Sequence, residues 1–246
     1  MPIFDSHAYL ADTSLSHAMA SQQAVLSTMQ RYKFDSVALI SGTAASCDFV
    51  AGNQRLREVL SVDQGLYGYV TLNAGYPAES LEEQRKHLGR REFVAGLLFG
   101  HDGVPVTLAD AREILNAQRR FMKPMAIHVP NAEAAIAMHE IAAEFPSMKF
   151  ILLTMGGEDW HTAVAAAKRH VNLYLEISGT LDSDKLAYAT SMLTPRKVLY
   201  GSCLPYSDPQ LTIGLVEETK TLTANDRNRV YYQNAQQLFI VERESD

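Results

Sequence analysis

Short, almost continuously apolar segments recur along the chain, and a longer segment with helical spacing follows each of them. Continuous apolar runs are typical of strands that are buried on both faces, as in a parallel sheet. Between them, apolar residues lie three and four positions apart, as in Ala134, Met138 and Ile141, and this spacing predicts amphipathic helices. The predicted strands are Pro2–His7, Ser36–Ser41, Leu66–Leu72, Phe93–Phe99, Pro124–Val129, Lys149–Thr154, Asn172–Ser178 and Lys197–Gly201.

This alternation indicates a parallel sheet with crossover helices, which is either closed into a barrel or open and doubly wound. An open nucleotide-binding sheet would carry a glycine-rich turn after its first strand, whereas here the first strand runs into DSHAYL. The predicted fold class is therefore α/β, a (β/α)₈ TIM barrel. A chain of 246 residues is long enough for one such domain, spanning residues 1–246.

Charge and composition narrow the class of partner. The net charge is -6, and no block of Lys or Arg interrupts it, which disfavours a nucleic-acid partner. No apolar run approaches the ~20 residues of a membrane span. The N-terminus lacks the features of a signal peptide, and two cysteines cannot staple a fold of this size. We therefore expect a cytoplasmic protein whose partners are small molecules or, in a homo-oligomer, copies of itself.

Polar residues stand where the predicted strands end, and in a barrel these ends meet at the catalytic mouth. His7 and His128 end two different strands, so both would converge on one site. Taken alone, either histidine is equally well explained as a core residue bonded to a backbone carbonyl. The other polar residues at or just after strand ends are Tyr9, Ser41, Asn73, His101, Thr154, Ser178, Cys203 and Tyr206.

Six segments carry short motifs in a fixed order: DSHAYL at 5–10, AIHV at 126–129, FILLTMGG at 150–157, NLYLEISG at 172–179, LYGSCLPY at 199–206 and NAQQLF at 234–239. Together they resemble the amidohydrolase-related metal-dependent hydrolases of amidohydrolase family 2. That family shows D-x-H-x-H in its first strand, a histidine in its fifth, ILxHxGG in its sixth, NxYxExSG in its seventh, GSDxP in its eighth and NAxxLF in its last helix. The likeness covers nearly the whole chain.

The resemblance implies a divalent metal held by two first-strand histidines, the fifth-strand histidine and the eighth-strand aspartate. It also implies that the sixth-strand histidine and that aspartate move protons. Here Tyr9, Thr154 and Cys203 stand at three of these positions, so the metal motifs are degenerate. His7, His128 and Cys203 would still make a His₂Cys zinc set. Because only His7 and His128 remain of the ligands that the resemblance implies, we expect that the protein binds no cofactor, and zinc is the alternative.

The expected function is hydrolysis of a small-molecule ester, lactone, amide or carboxylate at the barrel mouth, with His128, Cys203 and His7 as catalytic candidates. Cys203 could be a thiolate nucleophile beside a histidine, or a small buried residue. Tyr9, Asn73, His101, Thr154, Ser178 and Tyr206 are expected to contact substrate. The alternative is a non-catalytic binding or scaffold barrel. The histidines expected on helices, facing solvent, are His17, His87, His139, His161 and His170.

Overall fold

The computed structural model describes residues 1–11, 20–100, 104–179 and 181–239. Eight parallel strands lie side by side in the order in which they occur along the chain. They are β1 (Phe4–Leu10), β2 (Ser36–Ser41), β3 (Leu66–Asn73), β4 (Phe93–Phe99), β5 (Met125–His128), β6 (Phe150–Leu153), β7 (Leu173–Glu176) and β8 (Val198–Leu199).

The first and last strands meet at a seam. Ser6 N–H donates to Tyr200 O at 2.9 Å, and Tyr9 N–H donates to Leu204 O at 2.6 Å. Ala8 and Leu204 also form a parallel bridge. These contacts close the sheet almost completely, so the prediction of a (β/α)₈ barrel is confirmed.

Helices surround the sheet and connect successive strands. Asn131 caps the N-terminus of one of them, because its side chain accepts a hydrogen bond from Ala134 N–H at 3.0 Å. The α-helices in the described ranges are α1 (Gln22–Tyr32), α2 (Gly42–Ser46), α3 (Phe49–Val59), α4 (Pro77–His87), α5 (Leu108–Gln118), α6 (Ala132–Glu144), α7 (Trp160–Arg169), α8 (Ser183–Met192), α9 (Pro209–Glu218), α10 (Ala224–Asn228) and α11 (Asn234–Phe239). A π-helical segment, Arg229–Gln233, joins α10 to α11. None of the helices in the part of the chain just described is long and apolar enough to cross a membrane.

The strands follow the predicted bounds except near the seam. β1 continues beyond His7 because Tyr9 N–H still has a partner across the seam. β7 ends before Ser178 because Ser178 N–H donates to the Glu176 carboxylate at 2.6 Å rather than to a neighbouring strand. β8 is short because Tyr200 N–H donates to Val230 O, in the π-helical segment, at 2.9 Å. Side chains and helices thus replace the sheet ladder at this edge.

The prediction that the helical histidines face solvent is wrong for His87. Only 3% of His87 is exposed, and its Nε2 lies 3.3 Å from the equally buried carboxylate of Glu83. His139 and His170 are half-buried and bond to each other, Nδ1 to Nε2, at 3.0 Å. His161 is exposed as expected. His17 lies outside the described residues.

Candidate active site

A buried pair of hydrogen-bonded side chains, His7 and Glu176, joins the first strand to the seventh at the carboxyl end of the barrel. His7 Nδ1 lies 2.8 Å from Glu176 Oε2 and 2.9 Å from Ser178 Oγ. All three residues have no exposed surface. Burying a carboxylate is costly unless hydrogen bonds compensate the lost hydration, and Glu176 accepts hydrogen bonds from His7, Ser178 and Thr154.

Glu176 is held as a carboxylate by the donors around it. Burial raises its pKa, but the charge of His7 and the hydrogen bonds from His7, Ser178 and Thr154 outweigh burial and leave the pKa below its ordinary value. Ser178 Oγ donates to Oε2 at 2.8 Å, and Thr154 N–H donates to the same oxygen at 3.1 Å. Glu176 therefore accepts the proton on His7 Nδ1, which leaves Nε2 of the neutral ring as an acceptor.

The hydroxyl of Tyr9 lies against the other ring nitrogen of that imidazole. Its oxygen lies 3.2 Å from His7 Nε2. Burial, together with nearby Cys203, Tyr206 and Glu176, raises the pKa of the Tyr9 phenol well above its ordinary value, so the hydroxyl keeps its proton and donates it to Nε2. Glu176, His7 and Tyr9 form one continuous chain of hydrogen bonds, referred to below as the relay.

Asp5 fixes the seam beside the relay. Its carboxylate accepts from Ser202 N–H at 2.9 Å, Ser202 Oγ at 2.5 Å and His7 N–H at 3.1 Å. Burial raises the pKa of Asp5 to about 6, although the hydrogen bonds from Ser202 oppose it. Asp5 therefore positions the backbone of His7 and of the segment that carries Cys203.

Cys203 and Thr154 both adopt left-handed backbone conformations, with φ of 59° and 61°. Such φ values are uncommon outside glycine, especially for a β-branched residue, and they concentrate at functional sites. Thr154 Oγ1 lies within hydrogen-bond distance of Val129 O and Leu153 O, so its proton goes to the backbone. Burial and the negative charges of Glu176 and Asp5 raise the pKa of the Cys203 thiol to about 12. Cys203 is therefore a protonated thiol at neutral pH, and this disfavours the hypothesis that its thiolate is the nucleophile.

The donor set does not fit a metal ion. Over the described residues, no three His, Cys, Asp or Glu side chains lie together in a way that could hold one. The described geometry gives no support to the predicted zinc set of His7, His128 and Cys203, because the Tyr9 hydroxyl lies at Nε2 of His7 and the raised pKa of Cys203 disfavours the thiolate that zinc prefers.

A cavity of about 340 Å³ opens at the ends of β3, β4 and β5, and its described lining does not include His7, Tyr9 or Glu176. His128, a predicted catalytic residue, and Asn73, a predicted substrate-binding residue, both line it. Burial and the charge of His7 lower the pKa of His128 to about 4, although Glu176 opposes this. Tyr206 is more than half exposed and packs edge-on against Tyr9, with 5.1 Å between ring centroids. His101 lies outside the described residues.

Ser178 and Thr154, which were predicted to contact substrate, hold the Glu176 carboxylate through Ser178 Oγ and Thr154 N–H. Glu176 was not among the predicted site residues. The signal that marks it is an acidic residue inside the apolar run Leu173–Ile177, since a strand buried on both faces rarely carries a charge without a partner.

Residues 34–240 match the profile of the family described as Amidohydrolase. The chain belongs to the amidohydrolase family. The matched range begins after β1, so His7 and Tyr9 lie outside it. A search of curated proteins by sequence gave no match.

Solved structures share the amidohydrolase barrel over almost the whole chain. 5-Carboxyvanillate decarboxylase from Novosphingobium aromaticivorans, complexed with manganese and 4-hydroxy-3-methoxy-5-nitrobenzoic acid, has a TM-score of 0.75 at 12% identity, covering 97% of this chain and 96% of that one. 2,6-Dihydroxybenzoate decarboxylase from Rhizobium gives 0.74 at 15% identity, with 98% of each chain covered. The probable 2-pyrone-4,6-dicarboxylic acid hydrolase from Acinetobacter baumannii, with citric acid bound, gives 0.71 at 13% identity, with 97% and 99% covered. These are enzymes, and at such identities the likeness shows the fold.

Proposed function

We propose that this amidohydrolase is a metal-independent hydrolase that cleaves a small-molecule ester, lactone, amide or related carboxylate at the carboxyl end of the barrel. The observation that carries the proposal is the relay, in which Glu176 accepts from His7 Nδ1 and His7 Nε2 accepts from Tyr9. A carboxylate, an imidazole and a hydroxyl in series are the arrangement by which enzymes take a proton from an attacking group.

The relay supplies a base and later an acid without a metal. A water molecule attacks the substrate carbonyl carbon and gives its proton to the Tyr9 oxygen, while the Tyr9 proton passes to His7 Nε2. The imidazolium that forms is paired with Glu176, 2.8 Å away, which stabilises it in a site without bulk water. When the bond to the leaving group breaks, the proton returns through Tyr9 to that group, and the relay is restored.

Tyr9 transfers protons and does not act as the nucleophile, because its raised pKa disfavours a phenolate. Cys203 contributes through its backbone, since its N–H donates to His7 O at 2.7 Å. This bond and the carboxylate of Asp5 hold His7 in the orientation that the relay requires.

The test is hydrolysis of a panel of simple esters, lactones and amides in the presence of a chelator. We expect turnover that the chelator does not reduce, and a fall of roughly 10²–10⁴-fold in kcat for Tyr9→Phe, the typical range for general acid–base catalysis. Tyr188→Phe is the control, because Tyr188 lies on α8 and packs against Trp160 and His161 rather than the relay. Turnover that requires added manganese or zinc, or a Tyr9→Phe variant as active as the wild type, would overturn the proposal.

A second candidate is the non-catalytic binding barrel. The specific observation in its favour is that His128, the titratable residue lining the cavity among the described residues, has a pKa of about 4 and is a weak base at neutral pH. This candidate predicts ligand binding with no turnover over the whole panel.

A further inference from the structure

We infer that Lys185 is a positioning residue of the relay: its buried ammonium group holds the segment that follows β7, through which Ser178 keeps Glu176 against His7. The inference rests on the proposed function for the part that the relay plays in turnover. The hydrogen bond between His7 and Glu176 can be observed without turnover, so the inference and the proposed function can fail separately.

Lys185 lies on α8 and has no exposed surface, which is rare for a lysine. Its Nζ donates to Ile177 O at 2.6 Å and to Ser178 O at 3.2 Å. Both residues follow Glu176, the last residue of β7. Because a buried carbonyl group without a partner is costly, the ammonium group fixes the chain at the point where it leaves the sheet.

The segment that Lys185 holds also carries the contacts that orient the Glu176 carboxylate. Ser178 N–H donates to Glu176 Oε1 at 2.6 Å. Ser178 Oγ lies 2.8 Å from Glu176 Oε2 and 2.9 Å from His7 Nδ1. The backbone and the side chain of Ser178 thus hold one carboxylate oxygen each. A displacement of Ser178 would therefore move the carboxylate relative to the imidazole.

Gly179 brings the same segment into close contact with Thr154. Its φ is 89°, and a Cβ atom at this position would lie 3.0 Å from Thr154 O. Thr154 N–H is itself a donor to Glu176 Oε2, at 3.1 Å. The carboxylate therefore lies between two segments that pack against each other, and Lys185 anchors one of them to α8.

The charge of Lys185 supports the same arrangement. Burial lowers the pKa of Lys185 to about 8, although the negative charges of Glu176 and Asp182 oppose this, so the ammonium group is protonated at pH 7. A cation in a poorly hydrated interior interacts strongly with a nearby carboxylate and favours its ionised form. The relay requires an ionised Glu176, because this carboxylate stabilises the imidazolium of His7.

Lys197 offers a matched control, because it binds backbone carbonyl groups in the same way at the other end of the barrel. Its Nζ donates to Ala167 O at 2.6 Å and to His170 O at 2.7 Å. Burial lowers its pKa to about 8 as well. Lys197 immediately precedes β8 and therefore lies at the amino end of the strands, away from the relay.

The experiment follows the proton on His7 Nδ1 at pH 7, by NMR of the full chain with isotope-labelled histidine. A proton held between an imidazole and a buried carboxylate gives a low-field signal that exchanges slowly with water, and its loss in His7→Gln identifies it. In Lys185→Met we expect the signal to move upfield and to exchange roughly tenfold faster, the equivalent of one weakened hydrogen bond. In Lys197→Met it should be unchanged, although the Tm of both variants should fall because buried carbonyl groups lose their partner.

Turnover distinguishes positioning from a general loss of stability. With any substrate of the panel that is cleaved, Lys185→Met should lower kcat by roughly 10–100-fold, as expected when a catalytic group is misplaced. KM should change little, because Lys185 has no exposed surface with which to contact substrate, and Lys197→Met should retain the wild-type kcat. If no substrate of the panel is cleaved, the proposed function fails, and the His7 signal still decides this inference.

An unchanged His7 signal in Lys185→Met would overturn the inference. The same change in Lys197→Met would also overturn it, since the effect would then follow from lower stability alone. A wild type without the signal would contradict the relay and the inference together. If Lys185→Met does not fold, Lys185→Gln replaces it, because glutamine keeps an uncharged donor on a shorter side chain; a smaller change in the same direction is expected, and an unchanged signal counts equally against the inference.

Discussion

Glu176→Gln removes one charge from the centre of the site and almost nothing from its volume. The wild-type carboxylate accepts four hydrogen bonds: three reach Oε2, from His7 Nδ1, Ser178 Oγ and Thr154 N–H, and one reaches Oε1, from Ser178 N–H. A glutamine has a single acceptor oxygen, so its amide group must face at least one of these donors. The least disruptive choice leaves the oxygen toward His7 and sets the amide against Ser178 N–H.

The magnitude follows from those contacts. Three bonds lose their charge assistance, at roughly 1 kcal/mol each, and one buried donor loses its partner, at about 1–3 kcal/mol. Together these losses lower the free energy of unfolding by about 4–6 kcal/mol, which for a chain of this size corresponds to a Tm lower by roughly 8–24 °C.

The assay is urea unfolding followed by fluorescence of the buried Trp160, with thermal melts in parallel. Glu140→Gln is the control, because Glu140 is exposed on α6, and it should change stability by less than about 0.5 kcal/mol. The folded pKa of Glu176 lies below its ordinary value of 4.5. Its stabilisation is therefore present above that value and is lost as pH falls through the folded pKa, so the two proteins should converge in acid. A variant as stable as the wild type at pH 7 would refute this account of the buried Glu176 carboxylate.

Three further predictions follow from the same geometry. In Gly201→Ala the new Cβ would lie 2.1 Å from Glu176 Oε1, so thermal melts should show a free energy of unfolding lower by roughly 1–3 kcal/mol, because the site is overpacked. An unchanged Tm would contradict this, since it would mean that the carboxylate can move. Iodoacetamide at pH 6.5 should modify exposed Cys47 but leave Cys203 unmodified until unfolding, because the pKa of its thiol is about 12; fast labelling of native Cys47→Ser would contradict this. The folded pKa of His128 is about 4 against an ordinary 6.5. Its contribution to the free energy of unfolding, about 3 kcal/mol, is therefore fully present above pH 6.5 and declines as the pH falls toward 4. In His128→Asn, the free energy of unfolding should depend less on pH over this range.

The order and type of the elements could be predicted because they depend on local pattern. Continuous apolar runs mark strands buried on both faces wherever they occur, and Asn131 begins α6 through a contact with Ala134 three residues away. The ends of β1, β7 and β8 could not be predicted from local pattern. The N–H groups of Tyr9 and Tyr200 donate to carbonyl groups that are remote in the sequence, and that of Ser178 donates to a side-chain carboxylate.

The sequence by itself determined that Asn73 and His128 stand at the ends of their strands, that His7 belongs to the first strand and that Cys203 follows the last one, and a barrel brings the carboxyl ends of its strands to one mouth. Only the tertiary structure decided what each does. Glu176 meets His7 across 169 positions of the chain, and the hydroxyl of Tyr9 lies against the imidazole nitrogen that a metal would require. Burial by the surrounding barrel moves the pKa of Cys203 upward and that of His128 downward. Hydrogen-bond partners and desolvation depend on distances between remote residues, which local pattern does not encode.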